Sequence, residues 1–128
     1  MSISTRELGH WGEKKAEEFL VGKGYAILAC NVRTPYGEID LIAQHSSAHH
    51  PDSQTIVFVE VKTRSSKTFG YPESSVTPKK QEHLISAAQH YLQEHPELQQ
   101  DWQVDVIAIQ RHKNREPVIQ HFENAIHE

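Results

Sequence analysis

From Arg6 to Lys23 apolar residues return at helical spacing. Leu8, Trp11 or Gly12, Ala16, Phe19 and Leu20 share one face, and polar residues fill the other. Gly22 and Gly24 supply the stop. The pattern then changes period. Strands are predicted over YAILACNVRT, closed by the turn residues Pro35, Tyr36 and Gly37, then over GEIDLIAQH and over TIVFVEVKT. The polar stretch SSAHHPDSQ between the last two reads as a hairpin loop. From Arg64 to Val76 the chain is irregular, with Gly70 and Pro72. Thr77 followed by Pro78 has the form of an N-cap with proline at the first helical position. The helix it opens carries Leu84, Ile85, Ala88, Tyr91 and Leu92 and stops near Pro96. WQVDVIAIQ is a fourth strand, and PVIQHF a short fifth at an edge.

This order predicts an α/β fold with a mixed sheet flanked by helices. The first three strands, joined by short turns, form an antiparallel meander. The second helix is a crossover, which returns the fourth strand parallel to the third with right-handed chirality. No repeat, low-complexity tract or linker interrupts the chain, so residues 1–128 are expected to form one domain around one core.

The strands that should be core carry charge. Side chains alternate across a strand, so Glu60 and Lys62 share one face while Val59 and Val61 take the other. Glu38, Asp40 and Ile42 likewise fall opposite Ile39 and Leu41. If the two strands pair as a hairpin, Asp40 sits near Glu60 with Lys62 alongside. Two carboxylates crowded in a partly dehydrated place repel, and a proton, a cationic neighbour or a divalent ion must offset this. Carboxylate oxygens with a strand carbonyl, that of Val61, suit Mg²⁺ or Mn²⁺. A lysine beside such an ion can stabilise a phosphate oxygen or position the attacking water. A Glu-x-Lys tripeptide alone is more often a structural salt bridge. The preceding acidic strand and the apolar context of both strands favour a site, and so does Glu13, which the helical spacing sets on the buried stripe with Ala16 and Leu20. The bland reading of Glu13 is an acid favoured by the helix dipole.

Composition adds a few constraints. The net charge of −4 argues against a generic nucleic-acid coat. Lys62, Arg64, Lys67, Lys79 and Lys80 nevertheless gather into a local basic segment. Arg64 and Lys67 follow the charged strand as candidate phosphate contacts, and Lys80 and Gln81 open the second helix, where anions are favoured. No apolar stretch approaches the roughly 20 residues that cross a bilayer, and no apolar signal core opens the chain, so no membrane role and a cytoplasmic location are expected. The single Cys30 fits a reducing compartment. His49 and His50 sit in the hairpin loop, but scattered histidines without cysteine partners give no zinc pattern. Asp105 either reaches the site or pairs with an arginine, and is read as structural.

The stretches GHWGEKKAEEFLVGKGYAILACNVRTPYGEIDLIA, FVEVKTRSS, FGYPESSVTPKKQEHLISAAQHYL and VDVIAI resemble the YraN family of small bacterial proteins, from about Leu8 to Ile109. That family resembles the PD-(D/E)XK nucleases, with their restriction-endonuclease-like fold, and the archaeal Holliday-junction resolvases among them. The resemblance implies a metal-binding aspartate at Asp40, the second acid at Glu60, the lysine at Lys62 and the helical glutamate at Glu13. Ile39 stands where the superfamily has proline, and Gln103 where the family more often has arginine. By analogy with the resolvases, the resemblance also implies a homodimer. The expected function is a Mg²⁺- or Mn²⁺-dependent endonuclease acting on DNA, branched or junction DNA included. The alternative is a nucleic-acid-binding module that keeps the acidic pocket without turnover of its own. A purely structural charge cluster is the weaker third reading.

Overall fold

In the computed structural model the chain is described over residues 3–46, 52–65, 76–98 and 100–127. Helix α1 (Thr5–Gly22) begins at Ser4, whose hydroxyl accepts the Glu7 N–H at 3.1 Å and so satisfies one of the free amides of the first turn. It ends where Gly24 takes φ +93°, a left-handed conformation that glycine adopts without Cβ strain, and Tyr25 N–H returns to Leu20 O at 3.0 Å. Strands β1 (Ala26–Thr34), β2 (Gly37–Ser46) and β3 (Gln54–Arg64) follow, then helix α2 (Pro78–Glu94), β4 (Asp101–Gln110) and β5 (Val118–Ile126). Thr77 caps α2 by accepting the Lys80 N–H at 3.2 Å.

The five strands form one sheet in the order β1-β2-β3-β4-β5. Only β3 and β4 are parallel, in register from Thr55↔Asp101 to Arg64↔Gln110, with α2 as the crossover; every other pair is antiparallel. The meander, the crossover and the edge position of β5 therefore agree with the sequence pattern. β5 runs past Phe122 to Ile126, longer than the apolar run PVIQHF. A register shift against β4 lets it continue beyond that run.

Each face of the sheet holds its own apolar cluster. Ala16 and Leu20 of α1 pack on Leu41, Ala43, Val57, Val59, Ile107 and Ile109. Leu84, Ala87, Ala88 and Tyr91 of α2 pack on Ile39, Ile42, Ile56, Phe58, Val104 and Val106. β3 and β4 are buried from both sides, which explains why their sequences are nearly continuous apolar runs. Gly12 is buried where α1 crosses β3; a Cβ there would collide with the Thr63 side chain, so the residue sets how closely helix and strand approach.

One expectation about β2 fails. Strict alternation sets Ile39 and Leu41 on one face, yet Ile39 belongs to the α2-side cluster and Leu41 to the α1-side cluster. The β2–β3 ladder ends at Leu41↔Val59, and without a partner on that side the strand can twist. On its other side, Asn31 of β1 carries φ 51°, left-handed geometry that asparagine tolerates better than most residues. Among the described residues no helix is long and apolar enough to cross a membrane.

Candidate active site

The end of the β2–β3 ladder creates the site. Beyond Leu41↔Val59 the next facing residues would be Asp40 and Glu60. The Asp40 carboxylate turns into the gap and accepts the Val61 N–H at 2.9 Å, so a backbone donor in β3 is satisfied by a side chain. Glu60 is only 3% exposed. Its Oε2 lies 3.5 Å from Lys80 Nζ of α2 and 3.9 Å from Lys62 Nζ of its own strand. Glu13, half-buried on α1 directly after Gly12, approaches from the helix side. The Asn31 side-chain amide, with its nitrogen turned toward the acids, donates to Glu13 at 2.8 Å and to Glu38 at 3.0 Å.

Glu13, Glu38, Asp40 and Glu60 thus line one open pocket of about 340 Å³, together with Val61, Thr63 and Lys80. Four carboxylates face two nearby ammonium groups. The imbalance registers on Asp40, whose carboxyl is pushed up to about 7, first by burial and then by the charge of Glu60; the Val61 N–H pulls the other way without overcoming them. Glu13 is also raised, mainly by burial and then by Asp40, with His10 and Asn31 partly offsetting. A buried aspartate at that value is half-protonated near neutrality, so a cation entering the pocket would meet a group ready to release its proton. The donors are hard oxygens, the set that suits Mg²⁺ or Mn²⁺.

Each residue singled out in the sequence can now be placed. Glu13, Asp40, Glu60 and Val61 converge on the pocket, and Lys62 stands beside Glu60. Lys80 reaches in through its ammonium rather than as part of a free helix terminus, since its N–H is taken by Thr77. Gln81 is occupied otherwise: its side chain donates to Val76 O at 2.9 Å and does not line this pocket. Arg64 ends β3 and lies outside the lining; Lys67 lies outside the described residues. Sequence reasoning missed Glu38 and Asn31. Glu38 stands two residues before Asp40 in the same acidic strand, which was its available signal.

A second polar group sits under the end of α1. Asp105, 0% exposed, accepts from His121 Nε2 at 2.7 Å, from Gln103 Nε2 at 2.9 Å and from the Asn124 N–H at 2.8 Å. Lys23 Nζ meets His121 Nδ1 at 2.9 Å, which sets the proton on Nε2 and makes it the donor to Asp105. Tyr25, whose hydroxyl is pushed well up by burial and by Glu123, donates to Glu123 at 3.2 Å. Asp105, His121 and Glu123 offer ligand atoms within 4.8 Å of one another and could hold a metal ion. Asp105 is therefore buried and paired, but with a histidine rather than an arginine, and Gln103 belongs to its hydrogen-bond shell.

Over residues 12–109 the sequence matches the group described as uncharacterised protein family UPF0102. The chain belongs to this family, the YraN family that its motifs resemble. A UPF0102 protein of Dehalococcoides mccartyi is 36% identical over 128 residues, covering 100% of this chain and 99% of that protein. One from Chlorobium phaeobacteroides is 43% identical over 130 residues, covering 98% of each. One from Thermodesulfovibrio yellowstonii is 46% identical over 121 residues, covering 93% of this chain and 95% of that protein.

Proposed function

We propose that this UPF0102 chain is a divalent-metal-dependent nuclease of restriction-endonuclease-like architecture, hydrolysing phosphodiester bonds of DNA, branched or junction DNA included. The observation that carries the reading is the Asp40 carboxylate inserted where the β2–β3 ladder parts, next to buried Glu60, with its proton affinity raised to about 7. A merely structural acid at a strand end has no need of a second carboxylate at its side. The parallel β3–β4 pair with a helix on each face supports the architectural part.

Asp40, Glu60 and the Val61 carbonyl would hold the ion. When bound, Mg²⁺ or Mn²⁺ supplies Lewis-acid polarisation of a phosphoryl oxygen and makes water a better nucleophile at neutral pH. The chain's own groups do the rest. Lys62 sets an ammonium beside the acids, where it can neutralise charge developing on the phosphate and orient the attacking water. Lys80, whose ammonium lies 3.5 Å from Glu60 at the pocket's edge, would supply a second cation to face a phosphate oxygen. Asn31 fixes Glu13 and Glu38 so that their carboxylates share one donor instead of swinging to solvent.

The purified protein should cleave at least one member of a panel of branched, duplex and single-stranded DNA with Mg²⁺ or Mn²⁺, and RNA completes the panel. Asp40→Ala and Lys62→Ala should each lower the rate by 100-fold or more, about 2.7 kcal/mol of barrier. Cleavage that persists undiminished in both variants would reject the assignment.

A further inference from the structure

We propose that the β4–β5 turn, with Arg64 at the end of β3, is a second phosphate-binding surface that grips the DNA backbone away from the cleaved bond. This rests on reading the acidic pocket as a nuclease site. Because β3 and β4 are parallel, their carboxyl ends emerge on the side of the sheet that carries Glu60, Val61 and Thr63. The turn that follows β4 is tied down at two points. Arg111 N–H donates to Arg64 O at 2.7 Å, carrying the β3–β4 pairing one residue past Arg64↔Gln110. The Arg111 guanidinium also lies 5.6 Å from the Trp11 ring centre, and Trp11 stands on α1 between the pocket residues Gly9 and Glu13. The turn is thereby fixed to the helix and the strand that build the site.

Beyond this anchor Lys113 and Arg115 are exposed. Among the described residues neither they, nor Arg64, nor Arg111 make an ion pair, although the chain as a whole carries a net charge of −4. Glu116 is the one acid between Arg111 and Val118. Arg111, Lys113 and Arg115 fall within five residues of one turn, and Arg115 has only the His112 ring, at 3.4 Å, as a partner there; cations gathered this way repel one another, and a polyanion relieves that repulsion. Nucleic acid is favoured over an acidic protein because its backbone must also pass the neighbouring pocket, giving one continuous ligand for both sites. Glu60 and Arg64 are four residues apart on an extended strand, roughly 13 Å at ~3.3 Å per residue. That span matches about four nucleotides at ~3.4 Å per step of one strand.

The test reads binding without cleavage, so it does not depend on turnover. A labelled DNA duplex of about 20 base pairs is titrated by fluorescence anisotropy in EDTA at several KCl concentrations. Lys113→Ala/Arg115→Ala should make the slope of log affinity against log salt shallower by about 1.8, since each lost phosphate contact removes ~0.9. Lys113→Arg should keep the wild-type slope. Both positions are exposed turn residues, and circular dichroism confirms folding; Arg64→Ala is the second probe, with an expected change of about 0.9. Wild-type slope and affinity in the double variant and in Arg64→Ala would overturn the proposal, as would failure of the wild type to bind the duplex. The nuclease reading would then still stand or fall on its own cleavage panel.

Discussion

Asp40 couples the candidate chemistry to the stability of the molecule. Its folded-state value of about 7 lies above the ordinary 3.8, so the native state keeps a proton that the unfolded chain gives up. The contribution is fully present below about pH 4 and is lost as pH rises through about 7, so the metal-free protein should lose stability over that window. A shift of about three units corresponds to roughly 4 kcal/mol at most. Solvent in the open pocket and the Lys62 and Lys80 ammonium groups reduce it, leaving about 1–3 kcal/mol as the expected effect. Asp40→Asn cannot ionise and can still accept the Val61 N–H. It should raise the melting temperature by several degrees at pH 8 while changing little at pH 4.5, as read by circular dichroism in EDTA. A variant that melts lower than wild type at pH 8 would show that the ionised carboxylate stabilises the fold. Asp40, Glu60 and Glu13 were legible in the sequence because charge interrupts patterns that are otherwise apolar. Asn31 was not, because nothing in the residue order says that its backbone adopts φ 51° or that its amide bridges Glu13 and Glu38.

Helix α1 reaches the site only as far as Gly12 allows. Alanine there would gain about 1 kcal/mol of helix propensity. Its Cβ would meet the Thr63 side chain, including Thr63 Cβ at 3.0 Å, and overpacking of that kind costs about 1–3 kcal/mol. The collision is the larger effect, so Gly12→Ala should destabilise the protein by about 1 kcal/mol and shift Glu13 out of the pocket. Thr63→Ala in the same chain should restore part of the loss, which a double-mutant cycle by urea denaturation measures. Additive effects of the two substitutions would contradict the contact. The meander, crossover and edge strand could be read from period and turn residues alone. The point at which β2 leaves β3 could not, because a strand's own pattern does not record where its neighbour stops pairing. The continuation of β5 was hidden for a related reason: Glu123 and Asn124 interrupt the apolar run, and there the Glu123 carboxylate serves Tyr25 and the Asn124 N–H serves Asp105, contacts made across the fold.

Among the described residues, taken over the full sheet, two polar groups compete as cation sites, one under each half of α1. Glu13 lies over the first and Lys23 over the second, ten residues and roughly 15 Å apart along the helix. The acidic pocket holds more carboxylates than nearby cations and keeps Asp40 partly protonated. In the Asp105 group the atoms are already partnered: His121 Nε2 and Asp105 Oδ2 lie 2.7 Å apart as donor and acceptor, and Lys23 occupies His121 Nδ1. An ion ligated by both would need about 2.0–2.2 Å to each and would have to force them apart and displace a proton. Removing a partner from the buried Asp105 instead costs stability, about 3 kcal/mol or more. Mn²⁺ titrated by calorimetry at pH 7 should therefore bind wild type with proton release, visible as a heat that changes with buffer ionisation enthalpy. Asp40→Asn should abolish that binding, whereas His121→Gln should melt at a lower temperature yet bind Mn²⁺ with wild-type affinity. If His121→Gln loses the ion while Asp40→Asn keeps it, the cation belongs beneath Lys23 and the acidic pocket loses its proposed chemistry. At a hundredfold excess over the dissociation constant the ion should also stabilise the fold by about 2.7 kcal/mol. That gain should shrink at low pH, where Asp40 holds its proton against the metal.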